Sequence, residues 1–170
     1  MGLGIIGIAG SKIDVLAMDV LSLQKVSDQH LKLKKIFDTV IRNIDLFKPD
    51  EMAIESPFFG KNVQSMLKLG RAQGVAIAAS LHKNVPVFEY APRKIKQSIT
   101  GRGNASKEQV ASMLKHLIQL SQTPNLHDIS DALAVAVCHY YQNTGNQQPA
   151  MASYNSWAAF VSSNPGKVSK

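Results

Sequence analysis

The chain has 170 residues, enough for one domain with a sizeable core, and its hydrophobic content of 45% is typical of a globular protein rather than a disordered one. The 19 lysines and arginines outnumber the 12 aspartates and glutamates, which gives a net charge of +7. This excess favours a polyanionic partner such as nucleic acid, although a basic surface without such a partner fits the charge about equally well.

The single cysteine, Cys138, excludes an intramolecular disulfide and a thiolate zinc cluster, and it fits a reducing compartment. The apolar residues 2–8 form a short run without a preceding basic region, so they do not have the pattern of a signal peptide. No apolar stretch approaches the length of a membrane span. We therefore expect a cytoplasmic protein.

The first part of the chain predicts a hairpin followed by a long helix. Residues 2–8 and 13–23 are rich in strand-forming residues, and residues 9–12 between them form a plausible hairpin turn. Ser27 or Asp28 is the expected N-cap of the helix. Its apolar residues follow a helical stripe: Ile36, Phe37, Val40, Ile41, Ile44 and Phe47.

The rest of the chain alternates strands with helices. We predict strands at residues 51–55 and 85–90, and helices at residues 62–81, 92–99, 106–120 and 126–142. This alternation predicts an α/β fold, and the leading hairpin makes its sheet mixed. We assign residues 1–142 to one domain and residues 143–170, which are rich in Asn, Gln, Ser, Pro and Gly, to a flexible tail.

Small residues recur every four positions along the helix at residues 62–81. Gly70, Gly74 and Ala78 would allow another backbone to approach closely. Packing against the sheet is the interpretation that we favour slightly, and a helix–helix contact in a dimer is the alternative.

Three acidic residues stand at candidate site positions. Glu55 ends an otherwise apolar strand, at the sheet edge where open α/β sheets bind ligands. Asp128 and Asp131 share one face of the first turn of the last helix. Converging carboxylates would suit Mg²⁺, which prefers oxygen ligands. A solvated strand end and a favourable helix-dipole position are the alternatives, and spacing alone does not choose between them.

Basic residues gather around two helix starts. Arg93, Lys94 and Lys96 begin one helix, Lys107 begins the next, and Arg102 lies in the loop between them. Helix N-termini combined with cations bind phosphate groups, so this cluster is a candidate DNA contact. A solvated basic face is the alternative.

Two aromatic residues and two histidines complete the candidates. Phe58 and Phe59 are adjacent in a loop, so at most one easily enters the core, and the other could stack on a base or wedge between base pairs. The sequence gives His127 and His139 no recognisable partner pattern. We interpret His139 as structural and His127 as a candidate for assisting a water molecule.

Five segments in order resemble the bacterial RuvC family. They are AIESPFF at residues 53–59, NVQSMLKLGRAQG at residues 62–74, EYAPRKIK at residues 89–96, GNASKEQV at residues 103–110 and HDISDALAVA at residues 127–136. Their order and spacing are more specific than any single segment, and together they extend over most of residues 1–142.

The resemblance implies an RNase H-like fold, a mixed sheet flanked by helices, and the activity of a crossover (Holliday) junction endodeoxyribonuclease. It implies a homodimer that binds four-way DNA junctions, with a branch-migration complex as a further partner. Each subunit would cut one strand with two Mg²⁺ ions, for which Mn²⁺ could substitute. It assigns family catalytic and metal-binding positions to Glu55, Asp128 and Asp131. The residues near the DNA would be Phe58, Arg93, Lys96 and Lys107.

The N-terminus departs from the family pattern. The family opens with a strand that ends in Gly-Ile-Asp-Pro-Gly and carries the first catalytic Asp, whereas residues 1–6 here resemble the family's second strand. A weaker alignment places Ala9 at that Asp position. We therefore expect a chain that lacks the first strand, and we favour truncation over a degraded or non-catalytic relative. The alternatives are a non-catalytic junction-binding protein and another RNase H-like enzyme, such as an RNase H or a transposase.

Overall fold

The structure is a computed structural model that describes residues 1–57, 62–118 and 127–144, with only the backbone described for residues 127 and 128. The elements of these residues match the predicted ones, with ends displaced by a few residues. In chain order they are β1 (Gly2–Ala9), β2 (Lys12–Val20), α1 (Gln29–Phe47), β3 (Met52–Glu55), α2 (Val63–His82), β4 (Val87–Tyr90), α3 (Pro92–Thr100), α4 (Lys107–Leu117) and α5 (His127–Asn143).

Met1–Tyr140 form one compact unit, and a second unit contains Tyr141–Lys170. Of the second unit the structure describes residues 141–144 only, where α5 ends. The rest of the predicted tail therefore lies outside the described residues. Within the part of the chain that the structure covers, no helix is both long enough and apolar enough to cross a membrane.

Antiparallel and parallel pairing both occur, as predicted, but in two separate sheets. β1 and β2 form an antiparallel hairpin whose turn contains Gly10 at φ 62°, a left-handed conformation that glycine adopts without strain. β3 and β4 pair in parallel, with α2 as the crossover between them. The prediction of one continuous mixed sheet differs from this arrangement because no strand in the described residues bridges the two pairs.

Helices cover both faces of the β3–β4 pair. Met52 and Ile54 point to one face, where they pack against the buried core of α1 and α2. Phe88 and Tyr90 alternate to the other face, where both rings contact His139 of α5. Since Glu55 is the register partner of Tyr90, it shares that second face. The core on the first face contains Ile36, Val40, Ile44, Ala76, Ala79 and Val85.

The helix α5 packs directly on β1. A Cβ atom built on Gly4 would lie 2.8 Å from Leu133 Cδ2 and 3.3 Å from the Leu133 backbone nitrogen, so a side chain at position 4 would require Leu133 to move. Leu133 is fully buried, as are Val137 and Cys138 one turn further along α5. The position of α5 is therefore set by close packing on the strand below it.

The outer face of α2 is exposed, which corrects our slight preference for packing against the sheet. Gly70, Gly74 and Ala78 are all exposed, and Cβ atoms built on the two glycines would meet nothing within 4 Å. The helix instead turns Ala76, Ala79 and other residues on its opposite side towards the core. The small residues thus contribute to an open surface rather than to the intramolecular core.

Candidate active site

Glu55 lies at the carboxyl end of β3, and its backbone is held from two sides. The amide of the next residue, Ser56, donates a hydrogen bond of 2.9 Å to the Tyr90 carbonyl oxygen. Gln73 of α2 donates from its Nε2 to the Glu55 carbonyl oxygen at 2.5 Å. The sequence analysis did not single out Gln73, because an uncharged amide in a helix gives no pattern that distinguishes it.

Asp131 comes from the first part of α5 and pairs with a lysine of α4. Lys107 Nζ lies 3.3 Å from Asp131 Oδ2, and both side chains are largely exposed. Asp128 begins the same helix one turn earlier, but its side chain lies outside the described residues. The structure therefore places one of the two predicted aspartates beside a predicted DNA-binding lysine.

The electrostatics of Glu55 link the predicted carboxylates to the predicted cations. Burial is the largest influence and raises the pKa of the Glu55 carboxyl. Repulsion by Asp131 raises this pKa further, whereas Lys107 and Lys96 oppose the rise. Because a carboxylate and two lysines from three different helices all act on Glu55, the fold brings the four side chains to one site.

The local structure of α3 and α4 presents the basic residues at this site. Ser106 caps α4 through a reciprocal capping box with Gln109, which places Lys107 at the first helical position. Gly101 ends α3 in a left-handed conformation at φ 74°. In the loop between the helices, a Cβ on Gly103 would lie 3.2 Å from the Arg93 carbonyl oxygen, so this loop packs closely on the start of α3.

The two remaining predicted DNA-binding residues, Arg93 and Phe58, are not among the described side chains that meet at Glu55. Arg93 is exposed in the first turn of α3, one turn before the partly buried Lys96, and no contact joins its side chain to Glu55 or Asp131 in the structure as described. Phe58 lies outside the described residues.

A metal ion fits this site by the chemistry of its donors. Glu55 and Asp131 supply carboxylate oxygens, and their mutual repulsion is the kind that a bound cation relieves. Oxygen donors without thiolates suit Mg²⁺. Among side chains that the structure describes, no group of three or more acidic, histidine or cysteine residues is arranged to hold a metal. The third predicted donor, Asp128, falls outside that set.

A chain of hydrogen bonds next to the site joins α5 to β4 and to the residue that directly precedes β3. Tyr90 Oη lies 2.7 Å from His139 Nδ1, and His139 Nε2 lies 2.8 Å from Glu51 Oε2. His139 is only 9% exposed. The interpretation of His139 as structural agrees with this burial. Its two partners, Tyr90 and Glu51, are remote from it in sequence, and no spacing pattern connects them.

Known proteins resemble the chain over almost all of its length. The family model for crossover junction endodeoxyribonuclease RuvC matches residues 1–139. A protein of Cytophaga hutchinsonii with that name is 54% identical over 99% of this chain and 82% of its own length. A Christiangramia forsetii protein with the same name is also 54% identical, over 99% of this chain and 86% of its own length.

A solved structure confirms the predicted fold. Thermus thermophilus RuvC in complex with a Holliday junction substrate superposes with a TM-score of 0.79 at 29% identity, over 84% of this chain and 87% of that one. The fold is therefore α/β and RNase H-like, with helices flanking the strands. From the family model and from relatives that are about half identical to it, the chain belongs to the RuvC family of crossover junction endodeoxyribonucleases.

Proposed function

We propose that this protein resolves four-way DNA junctions by metal-dependent hydrolysis of phosphodiester bonds, in DNA recombination and repair. The observation that carries the proposal is the meeting of Glu55 and Asp131 with Lys96 and Lys107 at the end of the parallel strand pair. Two carboxylates suit a metal ion, and two lysines beside them suit the phosphate of a DNA backbone. Membership of the RuvC family supports the junction as the substrate.

The metal would be Mg²⁺, with two ions per subunit and Mn²⁺ as a substitute. Glu55, Asp128 and Asp131 would hold it through their carboxylate oxygens. When bound, such ions supply an activated water and neutralise charge on the phosphate and the leaving oxygen. The all-oxygen donor set supports Mg²⁺ over Zn²⁺, which favours nitrogen and sulfur ligands in most protein sites.

The lysines would bind the DNA and balance its charge. Lys107 now neutralises Asp131, and an exposed pair of this kind is weak enough to exchange partners when a phosphate arrives. Lys96 lies on the preceding helix and acts on the same carboxylate, Glu55. Together they would hold the scissile phosphate over the carboxylates. Arg93 would contact the backbone further out, and Phe58 would hold open the junction centre.

The outer face of α2 supports a homodimer. Its exposed apolar and small residues follow helical spacing and form one stripe, the α2 stripe: Val63, Leu67, Gly70, Gly74, Ala78 and Leu81. Burial of such a stripe against its copy would remove apolar surface from water, and the glycines would let the two backbones approach closely. Two subunits related by a two-fold axis would present two cutting sites to two opposite strands of one four-way junction.

We also propose where the protein acts and how its chain is divided. Four-way junctions form on chromosomal DNA, so the protein would act in the bacterial cytoplasm, alongside a branch-migration complex. Residues 1–142 would form the nuclease domain and residues 143–170 the tail. The compact unit at Met1–Tyr140 supports this division.

The test is a cleavage assay paired with a binding assay on a synthetic four-way junction. We expect opposite strands to be nicked in the presence of Mg²⁺ by the extended form, which is this chain preceded by the family's first strand with its Asp. Glu55→Gln and Asp131→Asn should each stop cleavage while junction binding without metal persists. Asp38→Asn, at an exposed ion pair on α1, is the matched control and should cut normally.

Three outcomes would change the proposal. Binding without cleavage by the extended form would identify a junction-binding protein instead of a nuclease. Cleavage of linear duplex or of RNA–DNA hybrid in preference to the junction would identify another RNase H-like enzyme. Persistent Mg²⁺-dependent cleavage by Glu55→Gln would remove Glu55 from the catalytic set.

A further inference from the structure

We propose that Tyr90 and His139 are positioning residues, which fix α5 and its Asp131 against the strand end that carries Glu55. The inference rests on the proposed function, since it concerns the spacing of the two carboxylates that would act together. It assigns a role in the reaction to two residues that lie behind the site.

Tyr90 is the point at which the two halves of the site meet. Its backbone carbonyl accepts the Ser56 amide, which fixes the peptide directly after Glu55. Its hydroxyl group, 2.7 Å from His139 Nδ1, reaches α5. Tyr90 therefore binds both the strand that carries Glu55 and the helix that carries Asp131. A displacement of the strand or of the helix would strain one of these two hydrogen bonds.

Glu51 completes this link by setting the protonation of the imidazole. Its carboxylate lies 2.8 Å from His139 Nε2 and holds a proton there. His139 Nδ1 is then left as the acceptor for the Tyr90 O–H group. Phe88 packs on the ring with centroids 4.7 Å apart, and the burial of His139 excludes water that would compete for these bonds.

The helix transmits this restraint to the carboxylate. Asp131 lies about two turns before His139 on α5, and a continuous helix moves as a nearly rigid rod over that distance. The ion pair between Asp131 and Lys107 is exposed and worth little by itself. The Tyr90–His139 bond is partly buried and is the stronger restraint on the rotation and tilt of α5.

The test removes one hydroxyl group from each of two tyrosines. Tyr90→Phe breaks the bond to His139 and keeps the ring, whereas Tyr140→Phe, the matched control, removes a hydroxyl that donates from α5 to the Gly10 carbonyl oxygen at 3.3 Å. Single-turnover cleavage of a four-way junction is measured at saturating protein, together with junction affinity without metal and thermal unfolding.

We expect Tyr90→Phe to cut about 10- to 100-fold more slowly, because small displacements of reacting groups have effects of that size. Junction affinity should stay within about twofold of the unaltered protein, and Tyr140→Phe should cut normally. His139→Gln retains a donor and an acceptor, so it should keep more of the rate than His139→Ala. A normal rate for Tyr90→Phe, or equal losses of rate and of affinity, would overturn the inference.

A second measurement does not depend on cleavage. In the unaltered protein, ¹⁵N NMR of the imidazole should show His139 with the proton on Nε2 and an unprotonated Nδ1. Amide hydrogen exchange along α5 should be faster in Tyr90→Phe than in Tyr140→Phe. If the extended form does not cut, the proposed function fails, but these two readings still decide this inference. A proton on Nδ1 at neutral pH, or equal exchange in the two variants, would contradict it.

Discussion

Glu55 carries its charge at a thermodynamic cost. Because burial and Asp131 raise its pKa, the folded protein binds a proton more tightly at Glu55 than the unfolded chain does. Stability from this group is therefore present at low pH and is lost as the pH rises from the ordinary pKa of Glu to the raised one. This is a common cost of an active site, where function requires a charge that the fold disfavours.

We predict that Glu55→Gln unfolds at a higher temperature than the unaltered protein at pH 7, in metal-free buffer. The gain should shrink as the pH falls from the raised pKa of Glu55 towards about 4.3, the ordinary pKa of Glu, and should be absent below it, because both proteins are then neutral at this position. Thermal melts across this range measure the effect. Glu89→Gln, at an exposed glutamate of β4, is the control and should show no such gain. A melting temperature that is lower for Glu55→Gln at pH 7 would contradict the assigned cost.

The two lysines at the site should contribute to the salt dependence of junction binding. Each phosphate contact that is lost lowers the slope of log affinity against log salt by about 1, so Lys96→Ala and Lys107→Ala should each weaken binding and flatten this slope. Lys34→Ala on α1, where Lys34 pairs with Asp38, is the control and should leave the slope unchanged. Unchanged slopes for both site lysines would mean that they belong to a solvated face.

The capping box of α4 is the element-scale feature that presents Lys107. Ser106→Ala removes the side-chain oxygen that accepts the Gln109 amide and should destabilise the fold by about 1 kcal/mol. It should also weaken junction binding, because the first turn of α4 carries Lys107 and would lose the hydrogen bond that holds it in place. Urea unfolding and a binding isotherm measure the two effects. Ser112→Ala, an exposed mid-helix change on α4, should lower neither quantity, and equal behaviour of the two variants would show that the cap does not matter.

The elements themselves were largely predictable because their signals are local. The Ser106–Gln109 capping box, the turn at Gly10 and the apolar stripe of α1 each depend on residues that are near one another in the sequence. The local patterns alone did not show which strands pair, because strand neighbours depend on contacts between distant parts of the chain. The orientation of α2 was also missed, since Gly70 and Gly74 fit a buried face and an exposed face equally well.

At the scale of the whole molecule, the α2 stripe predicts the oligomeric state. Leu67→Glu places a charge in the middle of the stripe and should shift the protein from dimer to monomer, without loss of fold, because Leu67 is 53% exposed. Sedimentation equilibrium measures this shift, and paired nicking of the junction should be lost with it. Leu46→Glu, at a position of α1 that is 69% exposed, is the control and should remain dimeric. A dimer that persists in Leu67→Glu would place the interface elsewhere.

The site shows how far sequence reasoning reaches in this protein. Residue type and element position singled out Glu55, Asp131, Lys96 and Lys107, and the fold brings these four together. The hydrogen-bonded chain of Glu51, His139 and Tyr90 was not predictable, since it joins residues from distant parts of the sequence and none of them has an unusual local context. The candidate site residues are charged and stand at the ends of elements, so the sequence alone singles them out. The residues that would position them can be recognised only from contacts between distant parts of the chain.

Gly4, the third residue of β1, contacts Leu133 of α5, the helix that carries Asp131. A Cβ atom at position 4 would lie 2.8 Å from Leu133 Cδ2, so a side chain there would require Leu133, two positions after Asp131, to move. A chimera that joins the first half of this chain to the second half of a relative would therefore have to match the residue at position 4 to the side chain that replaces Leu133.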